Sequence, residues 1–223
     1  MNQPSILSEN QKRLLKLFSE EKPICDHFYL TGGTALAEFY LHHRLSEDLD
    51  FFSEQEFDPQ SISVILKKFQ STIGVKKIEY QQSFNRNLFF LYTDSEVIKI
   101  EFTYFPFTRI EQKEMFGGLS IDSLIDIATN KIFTIYQNPR SRDFIDLYMI
   151  LQHNPALTID SLIDTAQIKF DTYIDSVQLG AQYMKVQELK DYPHMLEKLD
   201  EKVWHNFFIN EAEKLKDRVF KKE

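Results

Sequence analysis

Asp48 and Asp50 stand one residue apart in the run Ser46-Glu47-Asp48-Leu49-Asp50-Phe51-Phe52. Its alternation of polar and apolar residues has the period of a strand with one buried face. On such a segment both carboxylates leave the core together, roughly 7 Å apart along the strand. That spacing suits a divalent cation, because Mg²⁺ keeps several waters and takes only one or two protein carboxylates plus phosphate oxygens. Considered alone, the pair could equally be a solvated acidic loop. One helix length earlier comes Leu30-Thr31-Gly32-Gly33-Thr34-Ala35-Leu36, where two glycines let backbone approach a phosphate closely. Gly32, Gly33 and Thr34 are therefore candidate phosphate contacts, and cradle and carboxylates could meet at one end of a sheet.

Positioning these groups requires a strand, a glycine turn and a helix in that order, and the flanking sequence supplies them. Apolar spacing predicts a first helix over 8–21, with Leu14, Leu15, Leu17 and Phe18 on its inner face and Ser8 as N-cap. A strand over 28–31 runs into the glycines, a helix over 34–42 carries Leu36, Phe39 and Tyr40, and the Asp pair opens a strand over 48–52. After Asp58-Pro59, a helix with Ile62, Ile65, Leu66 and Phe69 ends near Gly74. Strands follow over 75–80, 88–92 and 97–105. In the last, Ile98, Ile100 and Phe102 face one way and Lys99, Glu101 and Thr103 the other. Glu101 is thus expected on an accessible polar face, where by itself it would be a sheet-surface residue paired with Lys99. Pro106 closes this strand, and Gly117-Gly118 marks a turn before the next helix.

From Ser120 the character changes to helices over 121–136, 141–151, 158–170, 173–188 and 201–218. The nine-residue segments beginning at Ser120 and Thr158 are nearly identical and read as two similarly capped helix starts. The layout is an α/β part over 1–119 followed by a helical part over 120–223. On the first of these helices Lys131 falls inside an apolar face of Leu124, Ile125, Ala128, Ile132 and Ile135. A buried ammonium needs a partner or a charged ligand, unless it snorkels from the edge. Ser141 can cap the next helix, where Asp143 would complement the dipole and flank the Phe144, Leu147, Tyr148 and Leu151 stripe, with Arg142 and Asp146 further round.

The 223 residues, 43% hydrophobic and 14% aromatic, suffice for a packed core. A net charge of −8 opposes generalised nucleic-acid binding, leaving room for a local basic groove. Cys25 is the sole cysteine, which excludes an intramolecular disulfide, points to a reducing compartment and reads as an ordinary core or surface thiol. Residues 1–10 lack a basic flank and apolar run, and no stretch reaches the length of a membrane span, so a soluble cytoplasmic protein is expected. His42 and His43 have no metal-ligand spacing and read as helix-end or surface groups. Trp204, Phe207 and Phe208 read as core of the last helix. Lys214, Lys216, Arg218, Lys221 and Lys222 read as its solvated end.

Gly-Gly-Thr-Ala-Leu followed by Arg44-x-Ser46-x-Asp48-Leu-Asp50 resembles the signature of the AbiEii and AbiGii type of nucleotidyltransferase toxin, a group that includes the MenT toxins. Lys131 and Arg142-Asp143-Phe144-Ile145-Asp146-Leu147 extend the resemblance over residues 28–151. It implies an α/β (α+β) fold, a polymerase-beta-like mixed sheet flanked by helices with a helical bundle after it completing the site. It implies an NTP substrate, Mg²⁺ or Mn²⁺, transfer of a nucleotidyl group to a tRNA end or a protein hydroxyl, and a cognate antitoxin. Asp48, Asp50 and Glu101 would hold metal. Gly32, Gly33, Thr34, Arg44 and Ser46 would hold or position the nucleotide, Lys131 would contact triphosphate, and Asp143, with Asp146 second, would be the further functional acid. A non-catalytic nucleotide-binding partner and a small-molecule nucleotidyltransferase of the antibiotic-modifying kind are the alternatives.

Overall fold

The computed structural model describes residues 5–111 and 114–220, with side chains through Lys216. Met1 to Pro4, Lys221, Lys222 and the Arg218 side chain therefore lie outside the described residues. The chain divides into two compact units, Met1–Ser123 and Leu124–Glu223.

In the first unit, helix α1 (Glu9–Glu20) starts where expected: Ser8 accepts from the Gln11 N–H and the Gln11 side chain returns the bond, a capping box. A short helix, α2 (Lys22–His27), which the apolar spacing does not announce, leads into strand β1 (Tyr29–Thr31). Helix α3 (Gly32–Leu36) follows directly and widens into a π turn over Ala37–Leu41, ended by His42 at φ 50°. Strand β2 (Asp48–Ser53), helix α4 (Pro59–Ile73), and strands β3 (Lys77–Ser83), β4 (Arg86–Tyr92) and β5 (Val97–Tyr104) come next. Gly74 closes α4 at φ 73°, a left-handed C-cap that glycine adopts without strain. Strands β6 (Glu114–Phe116) and β7 (Leu119–Ile121) complete the unit.

Among the described residues these seven strands form one mixed sheet in the order β3-β4-β5-β2-β1-β7-β6. Strand β2 runs parallel to β5 and antiparallel to β1, while β1 runs parallel to β7. Phenylalanines hold this arrangement. Phe51 of β2 and Phe102 of β5 stack at 5.0 Å, and Phe18 of α1 meets them edge-on at 5.1 and 6.0 Å. With Leu49 and Phe51 buried, the strand's alternation sends Asp48 and Asp50 to the opposite face. The four-residue turn joining β4 to β5 is closed by the Thr93 N–H and hydroxyl, which donate to the Glu96 carbonyl at 3.0 and 2.9 Å. Helix α1 pins that turn, since Ser8 and Asn10 donate to the Glu96 carboxylate at 3.0 and 2.8 Å.

Two expectations require correction here. Gly117-Gly118 turns between β6 and β7, not into a helix, and Ser120 lies within β7. Both near-identical segments run into a helix, but not at the same point: α5 starts at Leu124, after Ser120 and Ile121 have paired in β7, whereas α7 starts at Ile159 with Thr158 capping Ser161. Ile121 pairs in a strand where its counterpart Ile159 opens a helix, because so short a strand is decided by its sheet neighbours and not by local preference.

The second unit contains α5 (Leu124–Gln137), α6 (Ser141–His153), α7 (Ile159–Lys169), α8 (Ser176–Met184) and α9 (Glu201–Phe220). Phe144, Tyr183, Trp204 and Phe208 form its aromatic centre, with Phe208 4.8 Å from Phe144 and 5.4 Å from Tyr183. Phe207 is less buried, and packs on Tyr148 at 5.4 Å. Lys214 is exposed and bound to Glu211, and Lys216 is exposed. Among the described residues no helix is long and apolar enough to cross a membrane.

Candidate functional site

The glycine turn sits against the Asp strand because β1 pairs antiparallel with β2, placing Thr31 opposite Asp50. Gly32 adopts φ 73°, and a Cβ there would lie 2.6 Å from the Asp50 Oδ2. A Cβ on Gly33 would lie 2.2 Å from the Arg44 Nη2 and 3.2 Å from the Ser46 Oγ. Both glycines are thus required by close approach: one by a carboxylate, the other by a guanidinium laid over the turn. Arg44 is only 2% exposed, and its Nη1 donates to the Leu45 carbonyl at 2.9 Å. The Thr34 hydroxyl donates to the Asp48 carbonyl and lies 2.8 Å from the Ser46 hydroxyl. Thr34 therefore ties α3 to the start of β2 with its side chain; a direct phosphate contact would have to share that hydroxyl. Thr31 donates to the Asp122 carboxylate at 2.6 Å, linking β1 to the chain beyond β7.

Glu101 lies beside Asp50 in the parallel β2–β5 register, as Lys99 lies beside Asp48. The expected accessible face is covered, however: Glu101 is 5% exposed. Arg86 grips it through Nε and Nη2 at 2.6 and 2.5 Å, and Thr103 donates at 2.8 Å. Burial pushes its carboxyl up, but the Arg86 and Thr103 hydrogen bonds outweigh burial and hold it below its ordinary 4.5. Lys99 binds not Glu101 but Asp48, at 2.5 Å. Asp48, Asp50 and Glu101 therefore share this end of the sheet with Lys99 and Arg86, and the Arg44 guanidinium stands at the adjoining glycine turn. The hard carboxylate oxygens are the donors that Mg²⁺ or Mn²⁺ takes. Among the described residues, though, no three metal-type side chains are already gathered around one point. The donor chemistry of Asp48, Asp50 and Glu101 suits such an ion, while Arg86 and Lys99 sit on Glu101 and Asp48 in this structure.

In the second unit the ammonium of Lys131 has the partner its burial demands. Lys131, 8% exposed, contacts the Asp143 Oδ1 at 2.8 Å and the Asp146 Oδ2 at 2.7 Å, both from α6. Snorkelling is thereby ruled out. Asp146, further round the helix, is nevertheless wholly buried, and Ser141 is the first helical residue rather than the cap. Arg140 takes the cap position, and its N–H donates to the Asp143 Oδ2 at 3.1 Å. Burial raises the Asp143 carboxyl, while the charge and hydrogen bond of Lys131, with Arg140, bring it below its ordinary 3.8. A second buried pair, Lys169 with Asp126 at 2.6 Å, ties α7 to α5.

His43 is buried, not a surface group, and Cys25 donates to the Phe18 carbonyl at 3.3 Å as an ordinary thiol. Sequence reasoning missed Arg86. Its relation to Glu101 is a diagonal across antiparallel strands, with Leu88 opposite Glu101 and Arg86 opposite Thr103. Only the β4–β5 register reveals it.

Residues 13–221 match the family described as nucleotidyl transferase AbiEii toxin of type IV toxin–antitoxin systems. The chain belongs to the AbiEii nucleotidyl transferase toxin family. An uncharacterized protein of Aquifex aeolicus strain VF5 is 34% identical to this AbiEii-family chain over 131 residues, 58% of the chain and 60% of the relative's length. The fold is that of two solved Helicobacter pylori proteins, each 20% identical to it. The first, a candidate nucleotidyltransferase, has a TM-score of 0.61 with 97% of this chain and 99% of that one covered. The second, JHP933, has a TM-score of 0.57 with 97% and 96% covered.

Proposed function

We propose that the chain transfers a nucleotidyl group from an NTP to a hydroxyl of a tRNA end or a protein, acting as the toxin of a toxin–antitoxin pair with a cognate antitoxin. The observation that carries this reading is the packing of the Asp50 carboxylate on Gly32 and of the Arg44 guanidinium on Gly33, each so close that a Cβ would collide with it. Asp48 and Asp50, with Glu101, would hold Mg²⁺ or Mn²⁺. When bound, the ion supplies charge neutralisation for the triphosphate and a lowered pKa for the acceptor hydroxyl.

The protein's own groups do the rest by placement. The Arg44 charge, desolvated against Gly33, is fixed beforehand where a phosphate oxygen would meet the turn, so no reorganisation is needed as charge develops. Its short anchor to the Leu45 carbonyl keeps the guanidinium plane from swinging away. Thr34 and Ser46 hold the turn to the start of β2, fixing the distance between phosphate and carboxylates. Positioning of this kind accounts for most of the rate in nucleotidyl and phosphoryl chemistry.

The test is incubation of the purified protein with each labelled NTP, Mg²⁺, and tRNA or lysate, followed by location of the label. Transfer is expected to one class of acceptor, with Asp50→Asn reducing the rate on the order of 10³-fold at an unchanged melting temperature. NTP binding without transfer to any acceptor would make the chain a non-catalytic nucleotide-binding protein. Growth arrest on expression, absent for Asp50→Asn and relieved by a neighbouring gene, is expected of the toxin.

A further inference from the structure

Glu101 is almost wholly buried, and a buried carboxylate stays ionised only beside a positive charge. Arg86 meets that need here, with both prongs of its guanidinium on the two carboxylate oxygens. The Arg86 side chain is nevertheless 52% exposed, whereas that of Glu101 is 6% exposed. Lys99 and Asp48 form a second pair, 29% and 27% exposed. Glu101 is thus fixed in the sheet while Arg86 reaches it from the solvent side, and Lys99 and Asp48 meet at a partly solvated edge. Arg86 fills both oxygens of Glu101, and Lys99 one oxygen of Asp48, the positions that a divalent ion held by these carboxylates would need.

We propose that Arg86 and Lys99 are exchangeable counter-ions, holding Glu101 and Asp48 in position while no divalent cation is bound and leaving as one enters, which frees the Arg86 fork for a phosphate. This rests on the reading of Asp48, Asp50 and Glu101 as the cation's ligands. Exchange keeps Glu101 paired at every stage, so no buried charge is orphaned. It also couples ion entry to the release of a donor whose planar, two-pronged geometry matches phosphate oxygens. Arg86 is in this account a positioning residue: it acts through Glu101 until the ion arrives.

Mn²⁺ titration of the full chain, followed by electron paramagnetic resonance and calorimetry, tests the exchange. Arg86→Met and Lys99→Met should each bind Mn²⁺ roughly tenfold tighter than wild type, since each removes a competing charge from a partly solvated site. Arg86→Lys should fall between, and Glu101→Gln and Asp50→Asn should bind more weakly. In wild type, an arginine Nε–H resonance missing from Arg86→Met should lose protection from exchange on addition of Mg²⁺. Unchanged or weaker Mn²⁺ binding in both Arg86→Met and Lys99→Met, with Asp50→Asn still weakened, overturns the exchange and leaves the metal site standing. Binding indifferent to Asp50→Asn overturns the metal site and the exchange together. Should Arg86→Met fail to fold with Glu101 unpaired, Lys99→Met decides the matter, because Asp48 is part solvated and tolerates loss of its partner.

Discussion

Gly33 is the residue on which the site's geometry turns. An alanine methyl at that position would occupy space held by the Arg44 Nη2, and Arg44, buried and anchored to the Leu45 carbonyl, has little room to retreat. Gly33→Ala is therefore expected to displace the guanidinium by about 1 Å and to lower nucleotidyl transfer on the order of 10²-fold. Single-turnover kinetics would measure this, with a thermal melt to separate misplacement from unfolding. The residue scale is also where sequence was most informative. Gly32, Gly33, Thr34, Asp48 and Asp50 could be picked out because they are close in the chain, within one strand-turn-helix-strand unit, and Arg44 and Ser46 came with the family resemblance. Arg86 could not, since nothing local marks a partner fifteen residues from Glu101 across a hairpin.

At the scale of elements, α5 and α6 are joined by one lysine and two aspartates. Lys131→Met would leave Asp143 and Asp146 buried without their shared cation, and is expected to destabilise the protein by about 3–5 kcal/mol. Urea unfolding monitored by circular dichroism would read this as a lower midpoint. Adding Asp143→Leu and Asp146→Leu should recover most of the loss, because apolar packing can replace a buried ion cluster. In the sheet, Phe51→Ala removes a ring that stacks on Phe102 and receives the edge of Phe18, costing about 3–5 kcal/mol by the same measurement. Element reading from sequence succeeded where periodicity was long: α1, α4, β2, β5 and α9 lie within a few residues of their predicted spans. It missed α2, β6 and β7, and took the Gly117-Gly118 turn of the β6–β7 hairpin for the approach to a helix.

The acid sensitivity of the whole molecule follows from groups such as Asp143. Its folded carboxyl lies below the ordinary 3.8, so the native state holds its proton less tightly than the unfolded chain does. The stability this contributes is fully present above the ordinary carboxylate range and is lost as pH falls through the depressed value. Melting temperature is expected to be level from pH 8 to about 5 and to fall below that. The fall should be less steep in the Lys131→Met variant, which removes the cation that depresses Asp143. Sheet order was not legible at this scale. The sequence β3-β4-β5-β2-β1-β7-β6 depends on pairings between distant segments, and local pattern fixes which face a strand buries but not which strand it joins.

The turn between β4 and β5 sets how far Arg86 stands from Glu101. Surface turns ordinarily absorb insertions and deletions without penalty. If Glu96 stayed on α1 and the turn kept its four-residue closure, one residue added before Glu96 would set Phe89 and Leu91 against the core register, and two would keep their faces but slide Arg86 about 7 Å along β5, out of reach of Glu101. With Ser8 and Asn10 holding Glu96, the turn works as a ruler: a homologue of different length here would carry the same carboxylates under a different electrostatic regime.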